Sequence, residues 1–73
     1  MRNMTAFEVA MCRKNLSGAQ IARALGVGEA IVSHWKHGRL YVPKKYQHRV
    51  AELLSMSIDE LFDERGVPKI AEG

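Results

Sequence analysis

The segment from Ser17 to Gly38 constrains the fold more than any other part of the sequence, because it combines a helix start signal with two helix stop signals. Ser17 and Gln20 have the spacing of a capping box, in which each side chain accepts a hydrogen bond from the other residue's backbone N–H. Gly26 and Gly38 suit the position after a helix end, where φ turns positive. The segment therefore predicts two short helices joined by a turn.

Apolar residues at helical spacing indicate which face each of these two helices buries. Ile21, Ala22 and Leu25 share one face of the first helix, and Val32 and Trp35 share one face of the second. The small side chain of Ala22 suits a close crossing of two helices. Two short helices joined by a turn that contains glycine describe a helix-turn-helix.

Signals elsewhere in the chain predict three more helices and an all-α fold of five short helices. Two further capping boxes, Thr5 with Glu8 and Ser57 with Glu60, would open the first and fifth helices, and Pro43 suits the first position of the fourth. Residues 1–4 are expected to be frayed. Residues 1–66 would form one domain, and the tail 67–73 is expected either to be disordered or to pair with a second subunit. The predicted helices span residues 6–15, 18–25, 29–37, 44–55 and 58–65.

Charge is unevenly distributed along the 73 residues. From Arg13 to Arg49 there are eight Lys or Arg residues against Glu29 alone, whereas the stretch from Glu52 to Glu64 holds five acids and no Lys or Arg. This pattern indicates a basic face and an acidic end. A basic face on a small helical domain favours binding to the phosphate backbone of nucleic acid, although uneven charge also arises by chance.

Cellular location is indicated by features that the sequence lacks. No stretch approaches the roughly 20 apolar residues that a membrane-spanning helix needs, and no signal peptide is recognisable. The single cysteine, Cys12, fits a reducing compartment. We therefore expect a cytoplasmic protein that does not associate with membranes.

The helix-turn-helix segment resembles the phage repressor and Cro type, the XRE-like family. The resemblance runs from Leu16 to Phe62 and implies a lambda-repressor-like domain whose second motif helix lies in the major groove of DNA. Two positions depart from the family pattern: Gly18 stands where a phosphate-binding Gln is frequent, and Gly28 stands where Ser or Thr is more common. The matching features are the Ile21-Ala22 pair, the run Leu25-Gly26-Val27, the apolar residue before Ser33, the large residue Trp35 and the closing Gly38.

The resemblance also implies two sets of DNA-contacting residues. Glu29 can accept a hydrogen bond from the cytosine amine and Ala30 can touch a thymine methyl group, but an acid at position 29 also stabilises a helix dipole without any DNA. An alternative interpretation of the basic residues near the end of the motif is that they form a solvated loop. The implied base contacts are Gly28, Glu29, Ala30, Ser33 and His34. The implied phosphate contacts are Ser17, Gln20, Lys36, His37, Arg39, Lys44 and Lys45.

The expected function is sequence-specific binding of double-stranded DNA by a transcriptional regulator of the Cro, repressor or restriction-controller kind. It would act as a homodimer on a palindromic operator. One alternative is a protein-interaction module of the antitoxin or accessory type, and another is non-specific architectural DNA binding. We expect no enzyme, metal, cofactor or small-molecule ligand, because His34 and His37 lack further ligands and no catalytic set has usable spacing.

Overall fold

The computed structural model describes residues 4–71, which form five helices and confirm the predicted all-α fold. Three helices, the first, third and fourth, end one residue earlier than predicted, because the residue predicted to be the last is in each case the C-cap. Pro43 is the N-cap of the fourth helix and not its first helical residue. Of residues 1–4, which are predicted to fray, residues 1–3 lie outside the described part of the chain, and Met4 instead accepts a backbone hydrogen bond from Ala71. The helices are α1 (Ala6–Lys14), α2 (Gly18–Leu25), α3 (Glu29–Lys36), α4 (Lys44–Leu54) and α5 (Ile58–Leu61).

All three predicted capping boxes are present. At the start of α2 the backbone N–H of Ser17 donates to Gln20 Oε1 at 2.8 Å, and the N–H of Gln20 donates to Ser17 Oγ at 3.1 Å. Thr5 with Glu8 opens α1 in the same way. Ser57 opens α5 in the same way. These reciprocal bonds satisfy backbone donors that a helix start leaves without partners, so local sequence decides where these helices begin.

A single apolar core joins the helices. Val32 and Trp35 are buried on the inner face of α3, as predicted, and the Trp35 ring packs against Tyr46 of α4 with 5.7 Å between ring centroids. Gly26, with φ of 72°, turns the chain between α2 and α3. The inner face of α3 is therefore held by packing, and its opposite side points away from the core. The largest fully buried side chains are Phe7, Ile21, Val32, Val42, Val50 and Leu61.

The fifth helix is shorter than predicted. It ends at Leu61, and Phe62 adopts an extended conformation. The side chain of Asp63 accepts hydrogen bonds from the backbone N–H groups of Arg65 at 2.9 Å and Val67 at 3.0 Å. These local bonds stabilise a turn in place of a helix. The predicted helix over 62–65 is therefore wrong.

Residues 67–71 pack against the start of the same chain. The N–H of Ala6 donates to the carbonyl oxygen of Lys69 at 2.7 Å, and the N–H of Ala71 donates to that of Met4 at 2.8 Å. Thr5 and Ile70 form an antiparallel bridge between these bonds. The prediction of a disordered tail is wrong for residues 67–71, and residues 72–73 lie outside the described part. Pairing of the tail with a second subunit stays a prediction.

Gly66 ties this turn to the loop between α3 and α4. Its carbonyl oxygen accepts from the N–H of Val42 at 2.8 Å, and Gln47 Nε2 donates to the carbonyl oxygen of Val42 at 2.8 Å. A Cβ on Gly66 would lie 2.8 Å from Gln47 Nε2 and 2.9 Å from the Val42 carbonyl oxygen, and its φ is +83°. The close approach therefore requires glycine.

None of the helices in residues 4–71 combines the length and the apolar character that crossing a membrane would demand.

Candidate nucleic-acid interface

The outer side of α3 is open. Gly28, Glu29 and Ala30 are exposed, and Ser33 and His34 are partly exposed. Within the described residues, no hydrogen bond or ion pair engages the side chains of Glu29, Ser33 or His34. The structure therefore brings the five predicted base-contact residues together on α3 and its N-cap, with the polar side chains of Glu29, Ser33 and His34 available to a partner.

The two glycines that depart from the family pattern are not imposed by packing. A Cβ on Gly28 would meet nothing within 4 Å, and one on Gly18 would make only an ordinary contact with Val32 Cγ1 at 3.8 Å. Gly28 is the N-cap of α3 and supplies no side-chain hydrogen bond there. Space alone would allow a side chain at either position.

The predicted phosphate contacts on α2 already take part in its cap. Ser17 Oγ and Gln20 Oε1 each accept a backbone N–H, and both residues are exposed. Within residues 4–71 the Nε2 amide group of Gln20 and the hydroxyl proton of Ser17 donate no hydrogen bond, so both donors at this end of α2 are available to a phosphate oxygen.

The start of α1 contacts two of the predicted phosphate-contact residues at the end of α3: His37 through its side chain, and Lys36 only through its backbone. His37 Nδ1 lies 3.4 Å from Glu8 Oε2, and both side chains are largely buried. The backbone carbonyl oxygen of Lys36 accepts a hydrogen bond from the hydroxyl of Thr5. A phosphate contact by His37 would therefore be made beside the carboxylate of Glu8. Sequence reasoning did not anticipate Glu8 at this site, because a pairing between distant helices leaves no local signal.

The remaining predicted phosphate contacts lie on an exposed basic stretch. Arg39, Lys44 and Lys45 are exposed, and none has an ion-pair partner among the described residues. Lys45 Nζ lies 5.1 Å from the centroid of the Tyr46 ring, within the range of a cation–π contact. These three cations are free to contact a phosphate backbone.

Exposed basic side chains also continue along α4 beyond the predicted set. His48 and Arg49 are exposed, and they stand four residues after Lys44 and Lys45, which places them on the same helix face. Sequence reasoning missed both residues, although this i,i+4 spacing could have indicated them. Arg49 is therefore a further candidate for a phosphate contact.

Acidic side chains concentrate at the other end of the sequence, on α5 and the turn after it. Hydrogen bonds from the backbone and hydroxyl of Ser57 lower the pKa of Glu60 below its ordinary value. The N–H of Val67, and then that of Arg65, lower the pKa of Asp63. Both groups are therefore negatively charged at neutral pH. Such charges repel phosphate, so this end of the protein is a poor surface for nucleic acid.

Trp35 is 2% exposed and packs in the core, which leaves no ring face for stacking on a base. The residues that the structure describes contain no group of three metal-ligating side chains.

Comparisons of the chain with known protein families, with curated protein sequences and with solved structures find no match.

Proposed function

We propose that this protein is a sequence-specific regulator of transcription that binds double-stranded DNA through a helix-turn-helix of the phage repressor and Cro type. One observation carries the proposal: α3 buries Val32 and Trp35 and leaves its opposite side open. In a helix-turn-helix the second helix enters the major groove and its first residues meet the base edges. Glu29, Ala30 and His34 would then read the sequence, with Gly28 and Ser33 beside them.

The basic residues next to α3 support this proposal. Between Glu29 and Glu52 the sequence contains no acid, and Arg39, Lys44 and Lys45 extend into solvent without ion-pair partners in residues 4–71. Lysine and arginine on phosphates supply affinity and register but no direct sequence information. These residues would hold the domain on the DNA backbone while α3 reads the bases, with Gln20 contributing at the start of α2.

The assembly on DNA is part of the same proposal. Regulators with this motif bind as dimers whose half-sites are one helical turn of DNA apart, about 34 Å. We propose a cytoplasmic homodimer on a palindromic operator, with no enzymatic activity, cofactor or small-molecule ligand.

Selection of bound sequences from a random pool of duplex DNA is the experiment that tests the proposal. We expect enrichment of a palindrome whose half-sites are about 10 base pairs apart from centre to centre. The affinity for that sequence should fall steeply with salt, because each phosphate contact releases a counterion. Binding without any enriched sequence would instead indicate an architectural protein. Absence of binding even at low ionic strength would contradict a role on DNA altogether.

A protein-interaction module is the second candidate, favoured by one observation. Gly18 and Gly28 each lack a polar side chain at a position near the expected DNA, and neither glycine is imposed by packing. Replacement of Gly18 by Gln separates the two candidates, with Gly18→Ala as the matched control for helix propensity. If the protein binds DNA, Gly18→Gln should tighten binding to every duplex. If the protein binds only a protein partner, neither the wild type nor Gly18→Gln should bind DNA.

A further inference from the structure

An apolar groove of about 340 Å³ lies between α3, the start of α4 and the loop that joins them. Ile31, Leu40 and Tyr41 line it and are 39%, 42% and 61% exposed, and Trp35 and Tyr46 also contribute to its wall. Only two other large apolar side chains in residues 4–71, Met4 and Ile70, are this exposed. Exposed apolar residues grouped in one concave place mark an interaction site more often than scattered ones do.

Basic side chains lie beside the groove. None of its lining residues is acidic. Arg39 and Lys44 are the sequence neighbours of lining residues Leu40 and Pro43, and Lys45 lies over the ring of Tyr46. An occupant must therefore offer apolar side chains to the floor and negative charge to the rim.

We propose that this groove docks an acidic segment of a partner protein that carries leucine or aromatic anchors. Duplex DNA matches the charge of the rim but offers few apolar atoms to its floor. A second copy of this chain in a two-fold dimer would place the same surface against itself. Arg39, Lys44 and Lys45 would then face their own counterparts, and like charges at close range are unfavourable. An acidic peptide with apolar anchors satisfies both requirements.

The rim connects this site to the proposed function. Arg39, Lys44 and Lys45 are also the proposed contacts to the DNA backbone, so a bound acidic segment would occupy the charges that DNA needs. This part of the inference rests on the proposed function and predicts that peptide and DNA exclude each other. Such a partner would release the regulator from its operator.

The test uses a synthetic peptide of about a dozen residues, mostly glutamate, with one leucine and one phenylalanine as anchors. Trp35 is the only tryptophan of the chain and lines the groove, so its fluorescence reports occupancy. We expect a saturable change on titration. Replacing both anchors of the peptide by serine, or its glutamates by glutamine, should each weaken binding about tenfold or more.

Matched variants of the protein locate the site. Leu40→Ser removes an exposed anchor of the groove and should weaken peptide binding about tenfold. Ile70→Ser changes another exposed apolar residue, 56% exposed against 42% for Leu40, that lies outside the groove, and it should leave binding unchanged. Ile31→Ser provides a second groove variant, and circular dichroism verifies that each variant is folded.

Three results would overturn the inference: equal peptide binding by Leu40→Ser and wild type, equal binding of the glutamine peptide, or sedimentation showing that Leu40→Ser converts a dimer to a monomer. The last would assign the groove to contacts between copies. A competition experiment between DNA and peptide tests the shared rim and is interpreted separately from the peptide titration. If the chain binds no DNA, the proposed function fails while the Trp35 titration still decides the docking inference. If DNA and peptide bind together without competing, the shared rim is wrong.

Discussion

The hydroxyl of Thr5, at the start of α1, donates a hydrogen bond to the backbone carbonyl oxygen of Lys36, the last residue of α3. The same hydroxyl accepts the N–H of Glu8 at 3.1 Å, and Thr5 is 2% exposed. The last carbonyl groups of a helix have no partner within that helix, so this bond satisfies one of them. Through one buried hydroxyl, α1 holds the end of the helix that we propose enters DNA.

Replacement of Thr5 by valine should therefore lower the free energy of unfolding by about 2–3 kcal/mol. Loss of the helix cap costs about 1 kcal/mol or more, and the unpaired carbonyl group of Lys36 adds about 1–2 kcal/mol. Urea denaturation measures the change. Thr5→Ser keeps the hydroxyl and should cost less than about 1 kcal/mol, the value of one methyl group. Equal losses in the two variants would show that the hydroxyl does not stabilise the fold.

Replacement of His34 by alanine should relax the base preference at one operator position and cost about 1–3 kcal/mol of binding to the preferred sequence. The reason is that His34 lies on the open side of α3, where a side chain can meet a base edge. Binding assays with operator variants at each position measure the effect. The matched control is His48→Ala, on an exposed face of α4, which should leave the base preference intact. A loss of base preference in His48→Ala would contradict the proposal that α3 alone contacts the bases.

Replacement of Lys44 by alanine should weaken binding to all DNA sequences alike. One fewer phosphate contact should reduce the slope of log affinity against log salt concentration by about 1. Lys69→Ala is the matched control, because Lys69 is exposed next to Asp59, Asp63 and Glu64 at the acidic end. A salt slope that stays the same in Lys44→Ala, or falls equally in Lys69→Ala, would remove Lys44 from the proposed phosphate contacts.

Asp63 should make the stability of the fold depend on acid pH. The N–H of Val67, then that of Arg65, lower the pKa of Asp63 in the folded state. Its contribution is therefore complete above the unfolded pKa and lost as the pH falls through the folded one, below about pH 4. Between neutral and acid pH, the melting temperature should fall less in Asp63→Asn than in the wild type. Glu64→Gln, an exposed acid without a hydrogen bond in residues 4–71, is the control; identical pH profiles for wild type and Asp63→Asn would exclude this role.

Much of the fold could be predicted because its signals are local. The capping boxes at Thr5, Ser17 and Ser57 need only residues three positions apart, and the turn at Gly26 needs only one positive φ. Helical spacing was enough to assign Val32 and Trp35 to the core. Such features depend on backbone geometry within a few residues, which sequence alone specifies.

The parts that could not be predicted depend on contacts between distant residues. Neither segment carries a local signal for the pairing of Thr5 with Ile70. The predicted end of α5 is too late, because the Asp63 side chain accepts hydrogen bonds from the backbone of its own turn. At the candidate site, no local signal in the sequence indicates that Glu8 lies against His37.

The bridge between Thr5 and Ile70, with the Met4 to Ala71 hydrogen bond beside it, has a practical consequence for engineering. A fluorescent label, an affinity tag or an appended domain would leave the fold at nearly the same point, whether it is attached ahead of residue 4 or after residue 71. A short linker could join these two points, and new chain ends could be opened in the loop between α2 and α3. Circular permutation of this kind is therefore feasible.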